Sequence, residues 1–154
     1  MARQYWLMKS EPDVYSIESL KKDKKTLWTG VRNYQARNFM SQTMQVGDEV
    51  LFYHSSAEPP GVAGIARVSK AAVPDPTQFD KKSDGFEPKA TRDKPIWFCA
   101  EVEFVQTFPR FVALGDLREE KALSEMLVLK RAQRLSVQPV TEKEFKKVCQ
   151  LGGI

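Results

Sequence analysis

Two strand-like segments, Glu49–Ser55 and Val62–Val73, are separated only by a short turn around Glu58-Pro59-Pro60-Gly61. A parallel pair needs a crossover of about a dozen residues or more, so this spacing leaves an antiparallel hairpin. Val50-Leu51-Phe52-Tyr53 supplies the β-branched and aromatic residues that suit a strand. Gly64 falls inside the second segment, where a missing side chain suits a bend or a close backbone approach. Ile96–Val105 alternates at its centre: Phe98, Ala100, Val102 and Phe104 point one way, Glu101 and Glu103 the other. That is the pattern of a half-exposed strand, and Phe108–Val112 is read as its continuation into an edge. Tyr5–Ser10 forms a nearly continuous apolar strand, broken by Glu11-Pro12-Asp13, and Leu135–Val140 is a brief last one.

Helices fill the remaining intervals. Ser16 is placed to cap a short helix through Leu20, and a second helix opens near Asn33. In that second helix Ala36, Phe39, Met40, Thr43 and Met44 share one face at helical spacing. Leu114–Leu129 reads as helical in two pieces, with Leu117, Leu123, Met126 and Leu127 facing inward. Thr141-Glu142-Lys143-Glu144 has the spacing of a capping box, opening a helix that ends at Gly152-Gly153. Pro74–Asp80 is a turn, and the charged Lys81–Pro95 is expected to be a mobile loop. The sum is an α+β chain: one domain over residues 1–154, a small, mostly antiparallel, curled sheet or barrel wrapped by helices.

Several function classes are disfavoured. No apolar run reaches the roughly 18 residues of a membrane span. The amino-terminal residues run into a strand without a signal-peptide core, and Cys99 and Cys149 lie far apart; free thiols in a reducing, cytoplasmic setting are the expectation. Phosphate-cradling glycine loops and the zinc-deaminase signature are missing, so no metal and no cofactor is expected. The net charge of +4 leans mildly toward a polyanionic partner.

Trp28–Asn38 concentrates an indole, a phenol, two guanidiniums and three side-chain amides. These are the parts that stack on a planar heterocycle and read its edge. Trp28, at a helix entry, is read as the stacking platform; most of the other aromatics, Trp6, Tyr34, Phe52, Tyr53 and Trp97, are needed for the core. His54, the only histidine, is read as a hydrogen-bonded packing residue. Lys9-Ser10-Glu11 at a strand end admits a second reading, a small hydrolase of modified nucleosides with an activated hydroxyl. An interaction adaptor with an unused pocket is the third.

Tyr5-Trp6-Leu7-Met8-Lys9-Ser10-Glu11-Pro12, Trp28-x-Gly30-Val31-Arg32-Asn33-Tyr34-Gln35-Ala36-Arg37-Asn38, Phe52-Tyr53-His54-Ser55 and Arg134-Leu135-Ser136-Val137-Gln138-Pro139 occur in that order. Together they resemble the EVE-domain family over nearly the whole chain. The resemblance implies a PUA-like pseudo-barrel related to the YTH readers of methylated adenine. It implies a non-catalytic module that binds DNA or RNA carrying a modified base, methylated or hydroxymethylated, in an aromatic pocket. Lys9, Ser10, Trp28, Asn33, Gln35, Tyr53, His54, Asp75 and Gln138 are expected to line or buttress that pocket. Arg32, Arg37, Lys21, Lys22, Lys24 and Lys25 are expected to contact phosphates, although a lysine run is ordinarily a solvated loop. A monomer is expected, with no membrane partner.

Overall fold

The structure, a computed structural model, describes residues 3–130 and 135–154. Within them six strands form one sheet in the order β2-β5-β4-β3-β1-β6. These are β1 (Tyr5–Ser10), β2 (Lys25–Leu27), β3 (Glu49–His54), β4 (Gly61–Pro74), β5 (Phe98–Ala113) and β6 (Val137–Val140). The α-helices are α1 (Ile17–Asp23), α2 (Tyr34–Asn38), α3 (Leu114–Glu119) and α4 (Glu142–Leu151), joined by short 3-10 turns. β1 and β3 run parallel and all other pairings are antiparallel. The stretch between β1 and β3, carrying α1, β2 and α2, is the long crossover that a parallel pair requires.

β3 and β4 form the hairpin that their short connection demands. At Gly64 a β-carbon would run into the backbone carbonyl of Gln106, and the β4–β5 register shifts between Val62 and Gly64. The glycine therefore permits a bulge that bends the long strand. Phe108–Val112 is no edge. It continues β5 as one 16-residue strand, and Val112 and Ala113 pair with Val62 and Gly61. Bulges let β5 follow the bend of β4 along its whole length.

Both sheet faces are covered, which is why Trp6–Met8 and Val50–Tyr53 are buried at every position instead of alternating. On one face Trp6, Met8, Phe52, Ala66 and Val102 pack against Ile17 and Leu20 of α1 and against Ala36, Met40 and Met44. On the other, Leu7, Leu51, Tyr53 and Val62 pack against Leu117 of α3 and Phe145 and Val148 of α4. The capping box of α4 is closed from both sides: Glu144 N–H donates to Thr141 Oγ1 at 3.1 Å and Thr141 N–H to Glu144 Oε1 at 2.9 Å.

Several local expectations change. Beyond Asn38 the α2 segment widens into a π-helical turn, Phe39–Thr43, closed by Met44 N–H on the Phe39 carbonyl at 2.8 Å. The wider turn keeps Ala36, Met40 and Met44 inside but rotates Thr43 to solvent. The lysine run is not a loop. Lys21 and Lys22 form the last turn of α1, Lys24 caps it at φ 73°, and Lys25 opens β2 opposite Glu103. Val128, rather than Leu127, takes the buried position after Met126. Lys81–Pro95 is irregular yet stitched to the body: Arg32 donates to the Gly85 carbonyl at 2.6 Å and Glu87 N–H to the Gln78 carbonyl at 2.9 Å. Arg134 of the fourth motif lies outside the described residues. Both cysteines are free, and burial pushes the Cys99 thiol up to about 12 and Cys149 to about 11. Neither is a nucleophile near neutral pH.

Candidate nucleic-acid interface

β1 ends at Ser10, whose hydroxyl donates to the Tyr15 carbonyl at 2.6 Å. That bond braces a turn in which Val14 and Tyr15 N–H both reach the Glu11 carbonyl, at 2.9 and 2.8 Å. On the far side β2 brings Thr26 and Leu27 alongside, and Trp28 N–H is fixed to the Ala100 carbonyl at 2.8 Å. Ser10, Val14, Tyr15, Thr26, Leu27, Trp28 and Thr29 thus enclose an open pocket of about 250 Å³. The Trp28 indole is only 7% exposed and meets the Phe52 ring edge-on, with centroids 5.4 Å apart at 81°. Its N–H distinguishes it from the other tryptophans. Trp6 donates to Asp48 at 3.0 Å and Trp97 to Glu87 at 3.4 Å, but Trp28 Nε1 has no acceptor among the described residues. A largely buried indole N–H ordinarily finds a partner. The Trp28 N–H is not among the buried atoms without a partner, so it reaches solvent, where water or a ligand can accept from it.

Behind the pocket, Asp75 holds the segment that follows Trp28. It is 1% exposed. Its Oδ2 accepts from Gly30 N–H at 2.8 Å and Arg32 Nη1 at 3.1 Å; its Oδ1 accepts from Thr77 N–H at 2.8 Å and Thr77 Oγ1 at 2.6 Å. Burial by itself would raise the Asp75 pKa. The bonds from Thr77, Gly30 and Arg32 outweigh it and hold the carboxyl below its ordinary range. Gly30, at φ +83°, makes the turn that lets its N–H point at this carboxylate. Gln78, not anticipated from sequence, extends the clamp. Its amide donates to the Asp75 and Trp97 carbonyls and accepts from Ile96 and Trp97 N–H, all between 2.7 and 2.9 Å.

The structure therefore divides the residues expected at the site. Ser10 and Trp28 line one pocket, joined by Tyr15, whose hydroxyl donates to Asp23 at 2.9 Å. Lys9 and Tyr53 do not: both project to the opposite face of the sheet, where Lys9 Nζ lies 5.9 Å from the Tyr53 ring. Successive side chains of a strand point to opposite faces, so Lys9 cannot accompany Ser10. Burial pulls the Lys9 pKa down, but the Ser10 hydroxyl lies on the other face of the sheet. Asn33 caps α2, its Oδ1 accepting Ala36 N–H at 2.9 Å, and Gln35 is exposed on that helix. Gln138 is buried on β6, donating to the Leu135 carbonyl at 2.7 Å. Asp75 is a buttress behind the pocket. Arg32 and Arg37 are internal ties rather than free cations: Arg32 holds Asp75, Thr77 and Gly85, while Arg37 holds Asn38 and the Ile96 carbonyl. Lys21, Lys22, Lys24 and Lys25 are exposed and make no ion pair among the described residues.

His54 sits on the pocket-side face next to Phe52, and its Nε2 accepts the Ile17 N–H that begins α1, at 3.1 Å. Only a neutral imidazole can accept there. Burial lowers the His54 pKa from 6.5, with Glu18 pulling weakly the other way. A depressed folded-state value means that the unfolded chain binds the extra proton first as pH falls. The stabilisation is thus complete above 6.5 and is lost as pH drops through the folded-state value. Urea midpoints should fall across that window in the parent, and His54→Gln, which keeps an acceptor and cannot titrate, should flatten the slope.

Comparison with known proteins settles the family. The EVE domain model matches residues 4–151. The chain belongs to the EVE-domain family. Human thymocyte nuclear protein 1 is 42% identical over 165 residues, covering 96% of this chain and 73% of that protein. A crystal structure from Pseudomonas putida superposes with a TM-score of 0.91 at 51% identity, covering 96% of this chain and 99% of that one. The crystal structure of human THYN1 in complex with DNA containing 5-methylcytosine superposes with a TM-score of 0.90 at 40% identity, covering 98% of each chain. An ASCH protein from Zymomonas mobilis, at 15% identity and a TM-score of 0.54, shares the fold alone. The six-stranded, mostly antiparallel α+β architecture is thus that of EVE-domain structures.

Proposed function

We propose that this EVE domain reads a modified base in nucleic acid, DNA carrying a modified cytosine first among candidates, without turning it over. The placing of Trp28, whose accessible N–H bonds to no acceptor among the described residues, in one pocket with Ser10 and Tyr15 carries the reading. The pocket has the composition of a base site: two aromatic side chains, with hydroxyls from Ser10, Thr26 and Thr29 around them. The human THYN1 complex with 5-methylcytosine DNA, alike over 98% of the chain, supports it. A base must leave its stack to enter such a pocket, at a cost of a few kcal/mol, so unpaired or mispaired positions are the easier targets. The hydrolase reading loses its geometry, because Lys9 and Ser10 face opposite ways and the Ser10 hydroxyl is spent on the Tyr15 carbonyl.

Titration with single-stranded and duplex oligonucleotides carrying cytosine, 5-methylcytosine or 5-hydroxymethylcytosine at one position tests this. One modified form should bind more tightly than cytosine; equal binding of all three would sink the reading. Lys21, Lys22, Lys24 and Lys25 adjoin the pocket through α1 and β2, and of the six cations expected at phosphates they are the four with no ion pair or hydrogen bond through the side chain among the described residues. Replacing all four by Gln should flatten the dependence of log affinity on log salt by up to about 3 on single strands, at roughly 0.7 per phosphate contact. The preference for the modified base should survive that change.

A further inference from the structure

One aromatic ring is neither core nor pocket. Tyr34, the first residue of α2, is 61% exposed, yet its ring lies stacked on Trp97 with centroids 4.9 Å apart and planes 22° from parallel. Trp97 is 6% exposed and is itself held by Arg32, whose Cζ is 5.1 Å from the ring. Arg37 Cζ lies 4.6 Å from the Tyr34 centroid and 5.8 Å from that of Trp97. Those two distances and the ring separation close a triangle rather than a line. The angle at Tyr34 between Trp97 and Arg37 is therefore acute, so the guanidinium, which lies over the ring, is not opposite the indole. Three of the five N–H groups that a guanidinium carries are used on Asn38 and the Ile96 carbonyl, which fixes the cation and leaves two donors free. The result is a flat aromatic face, held in place by a buried indole and edged by a fixed cation. These contacts contribute to folding yet leave more than half of the ring to solvent.

We propose that Tyr34 is a second stacking platform, taking an unpaired nucleobase a few positions from the base in the Trp28 pocket, whatever that neighbouring base is. The inference rests on the pocket being a nucleic-acid site. Every base has a π-face, so stacking on an aromatic tolerates any sequence, and an arginine beside the ring adds to it. Tyr34 follows Trp28 by six residues, so their Cα atoms are at most roughly 22 Å apart, a span that a short single strand bridges. The chain would hold a strand at two points, one selective and one indifferent.

The test compares the parent, Tyr34→Ala, Tyr34→Phe and Trp28→Phe against the free modified nucleoside and single strands of several nucleotides, with and without the modification. Tyr34→Ala should weaken strand binding about 5- to 150-fold, the range of base–aromatic stacking. Nucleoside binding and the ratio of modified to unmodified affinity should not change, and Tyr34→Phe should stay close to the parent. Scanning the strand with abasic sites should find one flanking position where base removal weakens the parent but not Tyr34→Ala. Tyr34→Ala gives up the ring contacts with Trp97 and Arg37, so binding is compared at a temperature where melting curves show every variant fully folded. Equal strand affinity of Tyr34→Ala and the parent overturns the platform, as does an equal loss in Tyr34→Phe. If the parent binds single strands without distinguishing the modification, the pocket reading falls and the Tyr34 effect still stands. If it binds no strand at all, both fall.

Discussion

Asp75→Ala is expected to destabilise the protein by about 3–5 kcal/mol, the range for removing one partner of a buried ion pair. Its carboxylate is the meeting point of Gly30, Arg32 and Thr77, three residues brought together from two distant stretches of chain. Without it the Arg32 guanidinium, 24% exposed, keeps its charge and loses its counter-ion, and the Gly30 and Thr77 donors are left in a site with little water. Asp75→Asn preserves the shape but turns an acceptor into an N–H that faces other donors, so an intermediate loss is expected. Because the folded-state pKa is depressed, this stabilisation is complete above about 3.8 and disappears as pH falls through the lower folded value. Urea unfolding of the two variants and the parent measures all of this; a loss below about 1 kcal/mol for Asp75→Ala would mean that the clamp is not a structural centre. Modified-base discrimination should also suffer. Asp75 does not line the pocket, but it holds the Gly30 turn that sets where Trp28 and Thr29 lie.

The split between what could and could not be read in the sequence follows the range of each interaction. The hairpin around Pro59-Pro60-Gly61, the glycine bend at Gly64 and the Thr141–Glu144 capping box depend on residues a few positions apart, and those appear as the residue patterns suggest. Ser10 and Trp28 share a pocket, as the family motifs implied. Facing was legible along β5, where Ala100, Val102 and Phe104 share a cluster, but the pocket set grouped neighbours: a step of one residue moves a side chain through the sheet, which is what separates Lys9 from Ser10 and Tyr53 from His54. The fate of Arg32 and Arg37 was equally hidden, since Asp75, Gly85 and Ile96 lie 43 to 59 positions away. Two guanidiniums that looked like phosphate ligands became the ties of an irregular loop. Tyr15 went unnoticed because nothing about a tyrosine after Glu11-Pro12-Asp13 shows that Ser10 will fold the turn back onto it.

Trp28→Ala should have a comparably large effect, and on two quantities at once. Emptying a site that packs against Phe52 is worth about 3–5 kcal/mol of stability, and losing a stacking face removes about 1–3 kcal/mol of base affinity. A weakly binding Trp28→Ala protein is thus ambiguous until its folded fraction is known from its melting curve. Trp28→Phe separates the two contributions. A phenyl ring keeps an apolar face in the pocket and an edge against Phe52, but it carries no N–H. The single missing hydrogen bond should lower modified-base affinity about 2- to 10-fold, the equivalent of 0.5–1.5 kcal/mol. Its melting temperature should lie much nearer the parent than that of Trp28→Ala. If Trp28→Phe binds and discriminates like the parent, the free N–H has no role and stacking alone serves the pocket. If folded Trp28→Ala still binds as tightly as the parent, stacking is wrong as well, and the indole is simply the core residue that its 7% exposure would otherwise suggest.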